Sequence, residues 1–156
     1  MKRYITQDKK TIHFITFNEL SWESGYDYLL MAFSKAVSTT PHKLTMTIIG
    51  IGPLYGAVKY TLEDLQLGKY IYVVNDTPEP KEINDLINKT NVYVNFCVKY
   101  KPNPADNLAL SNNKPIICSD INEFIKNKNN RLITVIPNRN IEMLSENLIK
   151  LASTSP

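Results

Sequence analysis

Glu19, Glu23 and Ser24 crowd one short stretch, FNELSWESG, and Lys99, Tyr100, Lys101, Asn103 and Asp106 crowd another, VKYKPNPAD. Two chemistries fit the second stretch. Lys99 and Lys101, beside a helix opened by Asn103-Pro104, would offer an anion two ammonium groups and the positive end of a helix dipole. The plain alternative is a pair of solvated loop lysines, with Asn103 and Asp106 capping the helix. Glu19 and Glu23 suit a cation, although exposed loop carboxylates are usually only solvated. Trp22 and Tyr100 are large aromatics that stack on a base or sugar as readily as they anchor a protein partner.

The remaining chemistry-bearing residues exclude more than they suggest. Cys97 and Cys118 are too few for a disulfide scaffold and stand at no zinc spacing, so both read as small buried hydrophobes. His13 falls in an apolar run and reads as a hydrogen-bonded core histidine, while His42 falls in a turn. Neither has a carboxylate or cysteine at metal spacing, so no metal site and no cofactor is expected. The net charge of +3 comes without a Lys/Arg stripe interleaved with aromatics, which argues against nucleic acid as a partner.

These residues need a frame, and the hydropathy pattern supplies one. Short apolar runs at 11–17, 44–50, 70–74, 92–96, 115–118 and 132–136 alternate with segments of helical period. Tyr26, Leu29, Leu30, Phe33 and Val37 share one helical face, as do Tyr55, Val58, Leu62 and Leu65. Further helices carry Ile83, Leu86 and Ile87 behind Pro80, and Ile141, Leu144, Leu148 and Leu151 near the end. A hydrophobic fraction of 43% against 21% charged residues indicates a folded globular chain, and 156 residues are the size of one domain. The expected fold is α/β: a Rossmann-like, doubly wound, six-stranded parallel sheet with helices on both faces, in one domain over 1–156. Residues 1–10 form an expected tail and 152–156 an expected frayed end. No apolar run reaches the ~18 to 20 residues of a membrane span, and the basic start precedes no signal-peptide core, so the chain reads as cytoplasmic. Ligands of such sheets bind beyond the carboxyl ends of the strands where the strand order reverses, near Asn18 and Cys97.

The order of motifs along this frame resembles the C-terminal, nucleotide-sugar-binding half of family 4-like retaining glycosyltransferases of the GT-B fold. LTMTIIGIGP is similar to the family's strand and Gly-x-Gly-Pro turn, through Gly50, Gly52 and Pro53. FITFNELSWESGYDYLLMAF resembles its first strand, loop and helix, through Gly25, Leu29, Leu30, Ala32 and Phe33. NLALSNNKPIICSD resembles its last conserved-looking block, through Ala109, Lys114, Pro115, Ile117 and Asp120. The likeness runs in order from about Thr11 to about Leu151.

The resemblance implies donor-site positions at Gly50, Gly52, Glu19, Ser24, Lys99, Tyr100, Lys101, Asn103 and Leu108, and most of the side chains that would grip a donor are replaced. Glu19 and Ser24 stand where the family carries the Arg and Lys that hold the diphosphate. Tyr100 and Leu108 stand where it carries two glutamates, one beside the donor sugar and one on the ribose. Three lost charge-assisted contacts at ~1.5 to 3 kcal/mol each forfeit roughly 5 to 9 kcal/mol. A carboxylate at Glu19 adds a repulsion of about 3 kcal/mol at ~5 to 6 Å and an effective dielectric near 20. No residue is assigned a catalytic role. Two functions follow: a glycosyltransferase-like domain that binds a nucleotide sugar and is completed by a partner chain with the acceptor half, or an inactive pseudo-enzyme that serves as an interaction or homo-oligomerisation module. A flavodoxin-like or receiver-like module is a weaker third reading, since the loop after the first strand is neither Ser/Thr/Gly-rich nor flanked by clustered strand-end acids.

Overall fold

The middle strands are rich in β-branched residues and buried on both faces, which suits a parallel sheet walled in by helices rather than an open antiparallel one, while the two edge strands are partly exposed at Tyr72 and Val135. The computed structural model describes residues 10–154. They form six strands, β1 (Thr11–Phe17), β2 (Lys43–Ile49), β3 (Ile71–Val74), β4 (Val92–Asn95), β5 (Ile116–Ser119) and β6 (Ile133–Ile136), and five helices, one after every strand except β5, which leads to β6 with no helix between them. The helices are α1 (Tyr26–Thr39), α2 (Tyr55–Asp64), α3 (Pro80–Lys89), α4 (Pro104–Ser111) and α5 (Ile141–Thr154), and a 3₁₀ turn at Trp22–Ser24 precedes α1.

The sheet order is β3-β2-β1-β4-β5-β6 and every pairing is parallel. The chain therefore winds outward from β1 to β3, crosses back to β4, and winds outward again to β6. Right-handed crossovers running in opposite directions put their helices on opposite faces. Accordingly α1, α2 and α5 cover one face over Phe14, Met46, Ile48, Val92 and Val94. Helices α3 and α4 cover the other over Ile15, Phe17, Ile49, Tyr93 and Ile116. Burial thus alternates between the two cores along β1, and Phe14 meets Phe33 of α1 edge to face at 6.3 Å.

The expected doubly wound fold holds, with local differences. On α1, Ala32 and Ala36 are buried while Val37 is only partly so. α5 continues to Thr154 with Ala152 buried, so residues 152–154 of the expected frayed end are helical; Ser155 and Pro156 lie outside the described residues. The expected N-terminal tail lies outside them too, apart from Lys10. His13 is buried on β1 as expected, with Nδ1 against the Thr45 hydroxyl and Nε2 2.8 Å from the Thr47 hydroxyl on β2. Burial pushes its pKa down to about 4, so the ring is neutral near pH 7.

Candidate functional site

Strand order reverses between β1 and β4, and the loops leaving those two strands frame a cleft of about 290 Å³. Phe17, Ile49 and Ile83 form its apolar wall, Asn18, Asn95 and Asn103 its polar floor, and Glu19, Glu23, Lys99 and Lys101 its rim.

Close packing of backbone on backbone positions these loops. Leu20 N–H donates to the Ile51 carbonyl at 2.8 Å, and Leu54 N–H donates to the Leu20 carbonyl at 2.8 Å, so the β2–α2 turn is zipped to the β1–α1 loop. A Cβ on Gly50 would collide with the Asn18 carbonyl oxygen, and one on Gly52 would sit 2.5 Å from that of Leu20. The Gly-x-Gly spacing is therefore required by loop-on-loop contact. Gly50 lines the cleft and Gly52 does not. Ser24, in the position the resemblance gives to a lysine, is buried and donates to the Glu19 carbonyl at 2.6 Å, clasping its own loop.

Charge at the rim is internally paired. Lys101 Nζ lies 3.1 Å from Glu19 Oε2 and 2.8 Å from Glu23 Oε2, with Lys99 Nζ 3.9 Å from the other Glu23 oxygen. The hydrogen bond from Lys101 holds the Glu23 carboxyl below the usual carboxylate range, against a smaller upward effect of burial. The same bonds, from Glu23 first and Glu19 second, raise the Lys101 ammonium. The two lysines, read either as an anion site or as solvated loop charges, are thus engaged by the chain's own acids.

The opening of α4 is closed in the same sense. Asn103 Oδ1 accepts from Ala105 N–H at 3.0 Å, as the capping reading requires, and Asp106 N–H bonds to the Asn103 carbonyl. Asp106 departs from that reading. Its carboxylate is fully buried and turns inward, accepting from Tyr93 Oη at 2.6 Å, Asn95 Nδ2 at 2.9 Å and Asn122 Nδ2 at 3.2 Å. Burial raises its pKa, partly offset by the hydrogen bonds from Tyr93, Asn95 and Asn122. A carboxylate one turn inside α4 opposes the positive end of the dipole that an anion would need.

From that carboxylate a chain of amides runs back to the cleft. Asn18 Nδ2 donates to Asn95 Oδ1 at 2.9 Å, and Asn103 Nδ2 donates to Asn18 Oδ1 at 2.9 Å and to the Phe17 carbonyl. The strand ends near Asn18 and Cys97 do border the cleft, as expected, whereas Asn95 and Asn122 escaped the sequence reading. The signal for Asn95, shared with Asn18, is a polar residue closing an apolar strand, in VYVN and ITFN, at the two strand ends where the order reverses.

Of the nine expected positions, Glu19, Ser24, Gly50, Lys99, Lys101 and Asn103 line the cleft, while Gly52, Tyr100 and Leu108 do not. Leu108 packs into the core under α3 and α4. Trp22, 62% exposed, faces a separate shallow groove beside Leu54, Ala57 and Val58. The cleft is therefore open, plugged by none of the three large side chains Trp22, Tyr100 and Leu108. Asp76 and Thr77, from the β3–α3 loop, join its lining and were not anticipated. Cys97 and Cys118 are free and buried, and burial raises both thiols, Cys118 up to about 12, which suppresses the reactive thiolate. Among the described residues no group of three His, Cys, Asp or Glu side chains can hold a metal, and no helix is long and apolar enough to cross a membrane.

A family model described as "Glycosyl transferases group 1" matches residues 2–156. The chain belongs to the group 1 glycosyl transferases. No curated protein matches this group 1 domain in sequence. Its fold is shared by TarM from S. aureus, solved with UDP, at 14% identity and a TM-score of 0.81 over 99% of this chain and 31% of that one. A glycosyltransferase from Rickettsia africae is similar at 16% identity and a TM-score of 0.77 over 92% and 38%. The E. coli trehalose-6-phosphate structure bound with UDP-2-fluoro glucose is similar at 15% identity and a TM-score of 0.76 over 94% and 37%. The group 1 domain spans about a third of the length of these solved GT-B chains.

Proposed function

We propose that this group 1 domain is the donor-side half of a retaining glycosyltransferase resembling family 4, and that its cleft has lost the diphosphate grip. On its own it then serves as an inactive binding or oligomerisation module of the cytoplasm. One observation supports this above the rest: Lys101, a cation of the cleft rim, sits between Glu19 and Glu23. Glu19 and Glu23 offset both lysines of the lining, Lys99 and Lys101, so a dianionic group meets no surplus of positive charge from these four side chains. Ser24 and Leu108 add to the case, the one spent on a loop clasp and the other on the core.

A second reading is favoured by a different observation. The cleft is open and lies beyond the carboxyl ends of β1 and β4, which suits a nucleotide sugar held by other groups, with the acceptor half supplied by a partner chain. A thermal-shift panel of UDP-, GDP- and ADP-sugars separates the two. A ligand at 100 times its dissociation constant stabilises a fold by about 2.7 kcal/mol. The proposal expects no shift at millimolar sugar nucleotide; a saturable shift with any of them would replace it by the second reading.

A further inference from the structure

We propose that the β3 edge of the sheet is the surface on which two copies of this chain pair, antiparallel and two-fold symmetric about Val73. This deepens the reading of an oligomerisation module, on which it rests, by naming the surface and the partner. β3 ends the sheet on one side. Met46 N–H donates to the Tyr70 carbonyl at 2.9 Å and Gly50 N–H to that of Val74 at 3.1 Å, and the register sets Met46 beside Ile71 and Ile48 beside Val73. Tyr70, Tyr72 and Val74 therefore turn their peptide groups toward β2, whereas Ile71, Val73 and Asn75 turn theirs away. The Ile71 N–H is taken by the Leu67 carbonyl at 3.0 Å. What faces outward is the Ile71 carbonyl, both groups of Val73 and the Asn75 N–H. That set is its own complement: two Val73 residues exchange both bonds, and each Asn75 N–H meets the Ile71 carbonyl of the other copy. The same register sets Tyr72, 64% exposed, against Val74 of the other copy in a closely spaced aromatic and β-branched pair.

The opposite edge of the sheet shows what a strand barred from such pairing looks like. β6 turns Ile133 and Val135 outward in the same way, since Ile116 N–H donates to the Leu132 carbonyl and Asp120 N–H to that of Ile136. The residue that would answer the Ile133 carbonyl is Pro137, which has no N–H to give. Arginines flank that strand at both ends, Arg131 and Arg139, and antiparallel self-pairing would bring these like charges together. β3 has the reverse arrangement: Lys69 precedes it and Asp76 follows it, so pairing with a second copy sets unlike charges end to end. The run from Tyr70 to Val74 holds no proline and no charge, the devices that keep an edge from accepting another strand.

A single strand pair is small beside a standard interface, so the test is sedimentation equilibrium of the full chain from ~1 to ~500 µM. The wild-type mass is expected to rise from one chain toward two and to stop there. The Asn75 N–H has no backbone partner among the described residues, so N75P spares the fold of the single chain. It is expected to weaken the dimer about tenfold, the order for losing both outer bonds. Y72K, at an exposed side chain, is expected to weaken it as much, and K69E about threefold at low salt. A chain that stays monomeric over the whole range overturns the inference, and so does a dimer indifferent to both N75P and Y72K, or one broken by V135K instead. Should N75P fold poorly by circular dichroism, Y72K and K69E decide the matter. A wild-type dimer that binds sugar nucleotides sinks the functional proposal and leaves the pairing, whereas a monomer that binds none sinks only the pairing.

Discussion

Gly50→Ala separates a structural glycine from a ligand-binding one. The new methyl would collide with the Asn18 carbonyl oxygen and lie 3.0 Å from the carbonyl carbon and 3.7 Å from Glu19 Cα. All three are backbone atoms of a loop zipped to this turn, so no side-chain rotation relieves the overlap. Forcing the two loops apart costs roughly 1 to 3 kcal/mol in overpacking. Losing the bonds between Leu20 and Ile51 and between Leu54 and Leu20 adds about 0.5 to 1.5 kcal/mol each. The expected loss is about 3 to 5 kcal/mol, or near 10 °C in melting temperature at ~2 to 4 °C per kcal/mol for a chain of this size. Urea denaturation and a thermal melt measure it. Gly56→Ala is the control: nothing lies within 4 Å of its added Cβ on α2, and it should stabilise by up to ~1 kcal/mol. If Gly50→Ala stays within ~0.5 kcal/mol of wild type, the loop-contact account of the Gly-x-Gly turn is refuted.

Two further outcomes concern buried titratable groups. The folded chain refuses His13 a proton down to about pH 4, whereas the unfolded chain takes one up below about 6.5. Stability should therefore fall by ~3 kcal/mol as pH drops through that window, and urea titrations of His13→Gln should lack this component. Asp106 acts with the opposite sign: burial raises its folded pKa, so its contribution to stability falls as pH rises from the ordinary carboxylate value through the folded one. Asp106→Ala strands buried donors of Tyr93, Asn95 and Asn122 and should cost about 3 to 5 kcal/mol by chemical denaturation, with Asp106→Asn between it and wild type; an Asn variant as stable as wild type would show that the charge is dispensable.

The sheet was legible because its information is local. Runs such as TIHFITF and LTMTIIG can bury both faces only in a covered parallel sheet, and the helical faces around Leu29 and Leu86 supply the cover. The site was half legible. Glycine spacing and the polar stretches marked the right loops, but what the side chains do there depends on partners far away in sequence. Lys101 meets Glu19 across 82 residues, and no pattern around either one encodes the meeting. Asp106 stands where a helix-capping acid stands, and only the placement of α4 over Tyr93 and Asn95 turns it inward. Asn122 and Ile125 lie in a polar run that reads as loop, yet both are fully buried: the Asn122 side chain accepts from the backbone of Phe124 and Ile125 while donating to Asp106.

The relay of amides from Asn103 through Asn18 and Asn95 to Asp106 gives the cavity two mechanical zones. Its bottom is stitched to the interior at every link, whereas its edge is held by solvent-bathed ion pairs on long side chains. A visiting molecule would therefore be sorted by outline against an unyielding base and by charge against an adjustable lip, so altered selectivity is reached through positions 19, 23, 99 and 101 without touching the foundations.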